Sequence, residues 1–254
     1  MVIARSFVST LVLAACVSLF PAAGYAGTVV ADFQAVNGLP GTQGWSSSRG
    51  ILSADIISDG GVAALGLTGD NCCGYYYHPL TSQQWSDAFS QGWTYSVTLR
   101  TPGPGGGVAY AALDTDTTNP RFDIVVGGTG SSGWAGLSAF YDFSNPALQT
   151  PVDWSNYHTL VMHYDPITSF ATLSVDGTEM LSGYSGHSVS RESHGPFFGM
   201  VSGNNNEPAY FTAASFSIDS DAPAPEPATW LLLAGGSLLV AYRKRHPKTL
   251  PPAR

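Results

Sequence analysis

The sequence predicts an all-β chain: a two-sheet antiparallel, jelly-roll-like sandwich, with an N-terminal signal peptide and a short C-terminal hydrophobic helix. Three observations predict the sandwich. Between Gly27 and Asp221 no window carries an apolar stripe at the 3.6-residue period of a helix. Short runs of β-branched and aromatic residues recur there instead, separated by Gly, Asn, Asp, Ser and Pro. About a dozen such runs in roughly 195 residues suit two packed antiparallel sheets.

In chain order the expected strands are Thr28–Phe33, Ile51–Ser58, Val62–Thr68, Trp93–Arg100, Val108–Leu113 and Arg121–Val126. They continue with Ala135–Tyr141, His158–Tyr164, Ser169–Val175, Thr178–Leu181, Pro196–Val201 and Tyr210–Ile218. Successive side chains of a strand face opposite sides. Trp93, Tyr95, Val97 and Leu99 therefore point inward while Thr94, Ser96, Thr98 and Arg100 point outward; Ala171, Leu173, Val175 and Ala214, Phe216, Ile218 repeat the alternation. Val175-Asp176-Gly177-Thr178 reads as a hairpin, because Asp-Gly tolerates the positive φ of a tight turn. Gly128-Thr-Gly130-Ser-Ser-Gly133 has the spacing of a dinucleotide loop. Such a loop needs a helix after it, whereas Trp134 opens another apolar run, so this too reads as a hairpin loop. Thr101–Gly107, rich in Pro and Gly, is a connection.

Residues 1–26 read as a signal peptide. Met1–Arg5 is short and cationic, Ser6–Phe20 is largely apolar, and Gly24 and Ala26 are the small residues of a cleavage site before Gly27. Leu13-Ala14-Ala15-Cys16 resembles a lipobox, which would make Cys16 a lipidated N-terminus; both readings export the chain. Residues 27–219 form the sandwich, residues 220–227 a Pro-rich linker that can continue neither strand nor helix, and residues 228–254 a short transmembrane helix and basic tail. The apolar run Ala228–Tyr242 would span about 22 Å as a helix, and the cations after it belong on the cytoplasmic side. Pro225-Glu226-Pro227, the apolar run and the cluster Arg243-Lys244-Arg245, in that order, resemble the PEP-CTERM sorting signal of exopolysaccharide-producing Gram-negative bacteria. The resemblance implies an exosortase, a membrane protease-transpeptidase, as the partner that removes the tail. It also implies membrane attachment through the helix before processing, and delivery to the cell surface or extracellular matrix.

The body carries a second resemblance. Trp154-Ser-Asn-Tyr157-His158-Thr-Leu-Val161, then Tyr164-Asp165, then Ala171-Thr-Leu-Ser-Val-Asp176-Gly177 are similar to the concanavalin A-like, or laminin-G-like, superfamily. That superfamily implies a closing strand, here Tyr210–Ile218, returning beside the N-terminal one. It fixes no activity.

Charge excludes one class of partner. Residues 27–221 hold fourteen Asp and three Glu against four Arg and no Lys, a formal −13 compared with −8 for the whole chain. Such a surface repels nucleic acid and anionic membrane, and leaves a neutral glycan, or an acidic one bridged by a divalent cation. Cys72 and Cys73 are the cysteines after the leader. Adjacent in an oxidising compartment, they form a vicinal disulfide, remain thiols or pair between molecules.

Catalysis finds little support. A glycosidase on this fold needs carboxylates two apart on a strand, and Glu179, Glu192 and Glu207 have none at that spacing. His158 and His163 sit on opposite faces of one strand, and His187 and His194 lie in a Ser/Gly-rich loop, so no catalytic residue is assigned. Asp114, Asp116 and Asn119 are candidate calcium ligands, calcium being the cofactor the sequence allows, although the same residues suit a hairpin tip. Sugar rings stack on aromatic side chains beside amides, which makes Tyr75, Tyr76, Tyr77, Asn205 and Tyr210 candidate glycan contacts. The expectation is a non-catalytic surface or matrix protein that binds or organises exopolysaccharide. The alternatives are a polysaccharide-degrading or -modifying enzyme on the same fold, and a scaffold without glycan affinity.

Overall fold

Among the described residues fifteen strands pair, all of them antiparallel. The computed structural model describes residues 27–48, 51–69, 74–101, 108–114, 120–128, 131, 133–137, 149–187, 195–201 and 208–220. The expected signal peptide and sorting motif, the apolar tail, Cys72 and Cys73 lie outside them. Among the described residues no helix is long and apolar enough to cross a membrane.

The strands are β1 (Gly27–Gln34), β2 (Ser46–Ser47), β3 (Ile51–Asp59), β4 (Val62–Gly69), β5 (Gly74–Tyr77), β6 (Trp93–Arg100), β7 (Val108–Asp114) and β8 (Phe122–Gly127). Then come β9 (Gly133–Leu137), β10 (Gln149–Val152), β11 (His158–Asp165), β12 (Phe170–Val175), β13 (Thr178–Tyr184), β14 (Gly195–Val201) and β15 (Ala209–Asp219). One sheet runs β13-β12-β11-β6-β15-β4-β3, with β1 also on β15; the other runs β10-β9-β8-β7-β14-β5-β2. β15 shares one of its edges between two partners. Ala209–Phe211 pair with β4, Ala213–Asp219 pair with β1, and the register shifts between Phe211 and Ala213. The first strand thus lies beside the last, as the concanavalin A-like resemblance implies.

The alternation read from β6 holds along its whole length: Trp93, Tyr95, Val97 and Leu99 are buried, and the residues between them half-buried. Trp93 stacks on Tyr164 at 5.6 Å and meets Phe122 of the opposite sheet edge-on at 5.3 Å. Phe33, Trp45 and Phe211 pack around Phe198 at 5.2, 5.0 and 5.1 Å. Each such side chain contributes about 1.5–3 kcal/mol by leaving water. The Tyr95 hydroxyl donates to the Phe197 carbonyl at 2.9 Å and ties the sheets together across the core.

Several elements were not expected. α1 (Ser82–Gln91) is a helix where the sequence showed no apolar stripe. Thr81 and Gln84 form a reciprocal capping box, and Trp85, Ala88 and Phe89 make a short inward face, with Phe89 edge-on to Tyr164 at 5.6 Å. The helix stops at Gly92, whose φ of 102° favours glycine and where a Cβ would lie 2.7 Å from Asp219 Oδ2. β2, β5 and β10 are additional strands. β9 begins at Gly133 and ends at Leu137, so residues 138–141 of the expected strand lie outside the described residues. The Asp176-Gly177 hairpin has φ of 50° and 79°, as the pair predicts.

Candidate functional site

The β3–β4 hairpin turns at Gly60-Gly61, with φ of 61° and 88°. Only Leu65–Leu67 of it pair with β15. The rest runs on to a tip where Asp59 meets Arg100, the last residue of β6, and Tyr157, the residue before β11. Arg100 Nε donates to Asp59 Oδ2 at 2.5 Å, and Nη2 donates to Oδ1. The Tyr157 hydroxyl donates to Oδ2 at 2.6 Å. The guanidinium carbon also lies 5.4 Å from the Tyr157 ring centroid and 5.1 Å from that of Tyr210, within cation–π range. Tyr210 pairs directly with Arg100 across β15 and β6.

These residues border an open depression of about 240 Å³, lined by Asp59, Gly60, Val62, Arg100, Ser155, Asn156 and Tyr157. Its far wall is held by a local turn. Asp153 Oδ1 accepts from the Ser155 amide at 3.0 Å, and His158 reaches the Asp153 carbonyl at 2.8 Å and Asp176 Oδ2 at 2.7 Å. The Arg100 guanidinium holds the Asp59 carboxyl below its ordinary value, and Asp59 raises Arg100 in turn. Burial, then Asp59, pushes the Tyr157 phenol up, so that hydroxyl stays a donor. The depression is thus walled by a neutralised ion pair, an amide, two hydroxyls and an apolar side chain, groups able to bind sugar hydroxyls.

A second charged group lies inside the molecule. Arg121 Nε donates to Asp123 Oδ1 at 2.7 Å, and these side chains are 3% and 0% exposed. Arg121 stands 5.0 Å over the Phe197 ring. His187 Nε2 is 3.3 Å from Asp123 Oδ2, and Nδ1 is 3.1 Å from the Tyr184 hydroxyl. Burial and then Arg121 push the His187 pKa down to about 4, so the ring is neutral. The ring shares a hydrogen bond with the Tyr184 hydroxyl through Nδ1 and lies beside the Asp123 carboxylate. This group joins β13 of one sheet to β8 of the other, and its geometry is that of a structural tie.

A third group, Thr94, His163 and Asp219, brings hydroxyl, imidazole and carboxylate onto one face. Thr94 Oγ1 lies 3.2 Å and Asp219 Oδ2 3.7 Å from the same atom, His163 Nδ1. A hydrolytic relay needs hydroxyl and acid on opposite nitrogens, which this arrangement does not provide.

Of the residues singled out in the sequence, Tyr210 stands beside Arg100, itself a lining residue of the depression. Tyr75 and Tyr77 share a face of the other sheet, their rings 6.1 Å apart, with Tyr75 5.1 Å from Phe197. Tyr76 is a correction: the strand period turns it inward, where it is 7% exposed and packs on Phe198. Asp114 ends β7 opposite Gly195, while Asp116, Asn119 and Asn205 lie outside the described residues. Among the described residues no three His, Cys, Asp or Glu side chains gather as a metal site. Sequence reasoning missed Asp59, Arg100 and Tyr157 as a group. The usable signals were two ends of strands: an arginine closing an alternating run, and an aspartate before Gly-Gly.

No family model matches the chain. No curated protein matches it either. Solved structures do. A carbohydrate esterase of the Shiga toxin-encoding bacteriophage phi24B superposes with a TM-score of 0.61 at 16% identity, over 77% of this chain and 100% of that one. A protein of unknown function from Shewanella oneidensis MR-1 superposes with a TM-score of 0.52 at 10% identity, over 85% of this chain and 95% of that one. At these identities the likeness is one of fold, a jelly-roll sandwich.

Proposed function

We propose that this chain is an exported, PEP-CTERM-sorted protein of the cell surface or extracellular matrix whose sandwich binds or organises exopolysaccharide without transforming it. The observation that carries the binding reading is the depression beside Asp59, Arg100 and Tyr157, where polar groups fixed by one another border an open, uncharged recess. The Pro-Glu-Pro tail supports sorting by an exosortase, and the leader supports export. The test is co-sedimentation of the purified protein with exopolysaccharide from the producing organism, with and without calcium. Pelleting with the polymer is expected, and a calcium requirement would assign Asp114, Asp116 and Asn119 as ligands. Failure to pellet under both conditions leaves a scaffold without glycan affinity.

The second reading is a carbohydrate-active enzyme, favoured by the fold shared with a phage carbohydrate esterase. Release of acetate or reducing ends from the same polymer by the purified protein would replace the binding reading.

A further inference from the structure

Resting on the binding reading, the chemistry of the depression narrows the ligand. Its cation and anion cancel, because Arg100 and Asp59 face each other through two hydrogen bonds. A charged sugar would find no net opposite charge there, on a body whose formal charge is already −13 between residues 27 and 221. The pair is nevertheless not saturated. The bonds to Asp59 use Arg100 Nε and one hydrogen of Nη2, the side edge of the guanidinium, and leave the second Nη2 hydrogen, next to Asp59 Oδ1, on the end edge. Asp59 Oδ2 accepts twice and Oδ1 once, so Oδ1 keeps a lone pair. A donor edge and an acceptor lone pair therefore stand side by side, locked by the Tyr157 hydroxyl and by two tyrosine rings.

We infer that this fork recognises the vicinal diol of an uncharged sugar residue. One hydroxyl oxygen accepts the second hydrogen of Arg100 Nη2 while the neighbouring hydroxyl donates to Asp59 Oδ1. Ser155 and Asn156 line the recess as further hydroxyl partners, and Val62, 47% exposed, gives the C–H face of the ring an apolar wall. The volume of about 240 Å³ falls below the roughly 300–1,000 Å³ that drug-sized ligands fill. The recess takes one residue of a chain that continues over the surface.

The experiment measures binding of the full protein to four polymers by calorimetry and co-sedimentation. They are a 1,4-linked glucomannan, whose residues keep adjacent 2- and 3-hydroxyls; the same polymer after periodate oxidation and borohydride reduction, which cleaves those diols; a 1,3-linked glucan, which has no adjacent pair within the chain; and acidic polygalacturonate. Glucomannan is expected to bind with little dependence on salt. Oxidised glucomannan and the 1,3-linked glucan should bind about ten- to a hundredfold more weakly, the loss of one or two hydrogen bonds to charged groups. Arg100→Lys keeps the charge and removes the fork, and should abolish the preference for intact diols while melting at the same temperature. Equal binding of oxidised and intact glucomannan, or a preference for polygalacturonate, would overturn the diol inference and leave glycan binding standing. Binding to none of the four, nor to the native exopolysaccharide, would overturn both.

Discussion

Arg100–Asp59 and Arg121–Asp123 are the same pair of side chains in two surroundings. Both arginines lie over aromatic rings, Arg100 over Tyr157 and Tyr210 and Arg121 over Phe197. The first pair is 20% and 15% exposed and joins two strand ends at an open recess. The second is 3% and 0% exposed and joins Asp123 of β8 to Arg121, the residue before that strand. Water makes the difference. A buried charge depends wholly on its partner, whereas a pair at the surface exchanges protein contacts for solvent at little cost and can exchange them again for a ligand. Burial alone decides which pair is a structural tie and which is available for recognition.

Breaking the buried pair should give the largest effect. Asp123→Ala strands the Arg121 guanidinium and should lower unfolding stability by about 3–5 kcal/mol, read from urea denaturation. A loss no larger than that of a surface pair would show that the two sites are equivalent after all. The pH dependence of melting comes next. His187 has a folded pKa of about 4, whereas an unfolded histidine titrates near 6.5. In that window the unfolded chain takes up a proton and the folded chain does not, so stability is complete above about 6.5 and declines as pH falls toward 4. His187→Gln should flatten the decline; an unchanged slope would assign it to another group.

At the surface pair, Asp59→Ala should cost about 1 kcal/mol or less of stability yet abolish glycan pelleting. The Arg100 guanidinium holds Asp59 below the ordinary carboxylate value, so its contribution is complete above that value and is lost progressively as pH falls from it toward the lower folded one. The smallest effect belongs to Tyr210→Leu. It removes one ring from Arg100, worth about 0.5–1 kcal/mol at an exposed site, and should weaken binding a few-fold without moving the melting temperature measurably.

Twelve strands were legible because large apolar residues fall on every second position, as in Trp93–Arg100, and turn residues punctuate them. What escaped has local causes. Three consecutive tyrosines hide a period of two, so the sequence does not show which of them turns inward from β5. β10 contains Pro151, which a strand tolerates at the edge of a sheet, its place here. α1 has three inward residues in ten, too few for a stripe, although its Thr81-x-x-Gln84 cap was visible. The recess was invisible for a different reason. Asp59 and Arg100 are 41 positions apart and Asp59 and Tyr157 98, and only the run of the β3–β4 hairpin past its pairing with β15 brings them together. Tyr210 was named on aromatic chemistry alone, and its place opposite Arg100 follows from strand register.

The pairing of Gly27 with Asp219 puts both ends of the sandwich at one corner, next to the end of β6 where Trp93 faces Ile218. Arg100 is at the other end of that strand, about 23 Å away at 3.3 Å per residue. A pull between a polymer held at Arg100 and a tether at Asp219 therefore acts along β6 and β15. All the rungs between these strands are then loaded together in shear, and none is peeled singly as at an unzipping hairpin. A sandwich gripped at these two points resists tension through the longest of its described strands.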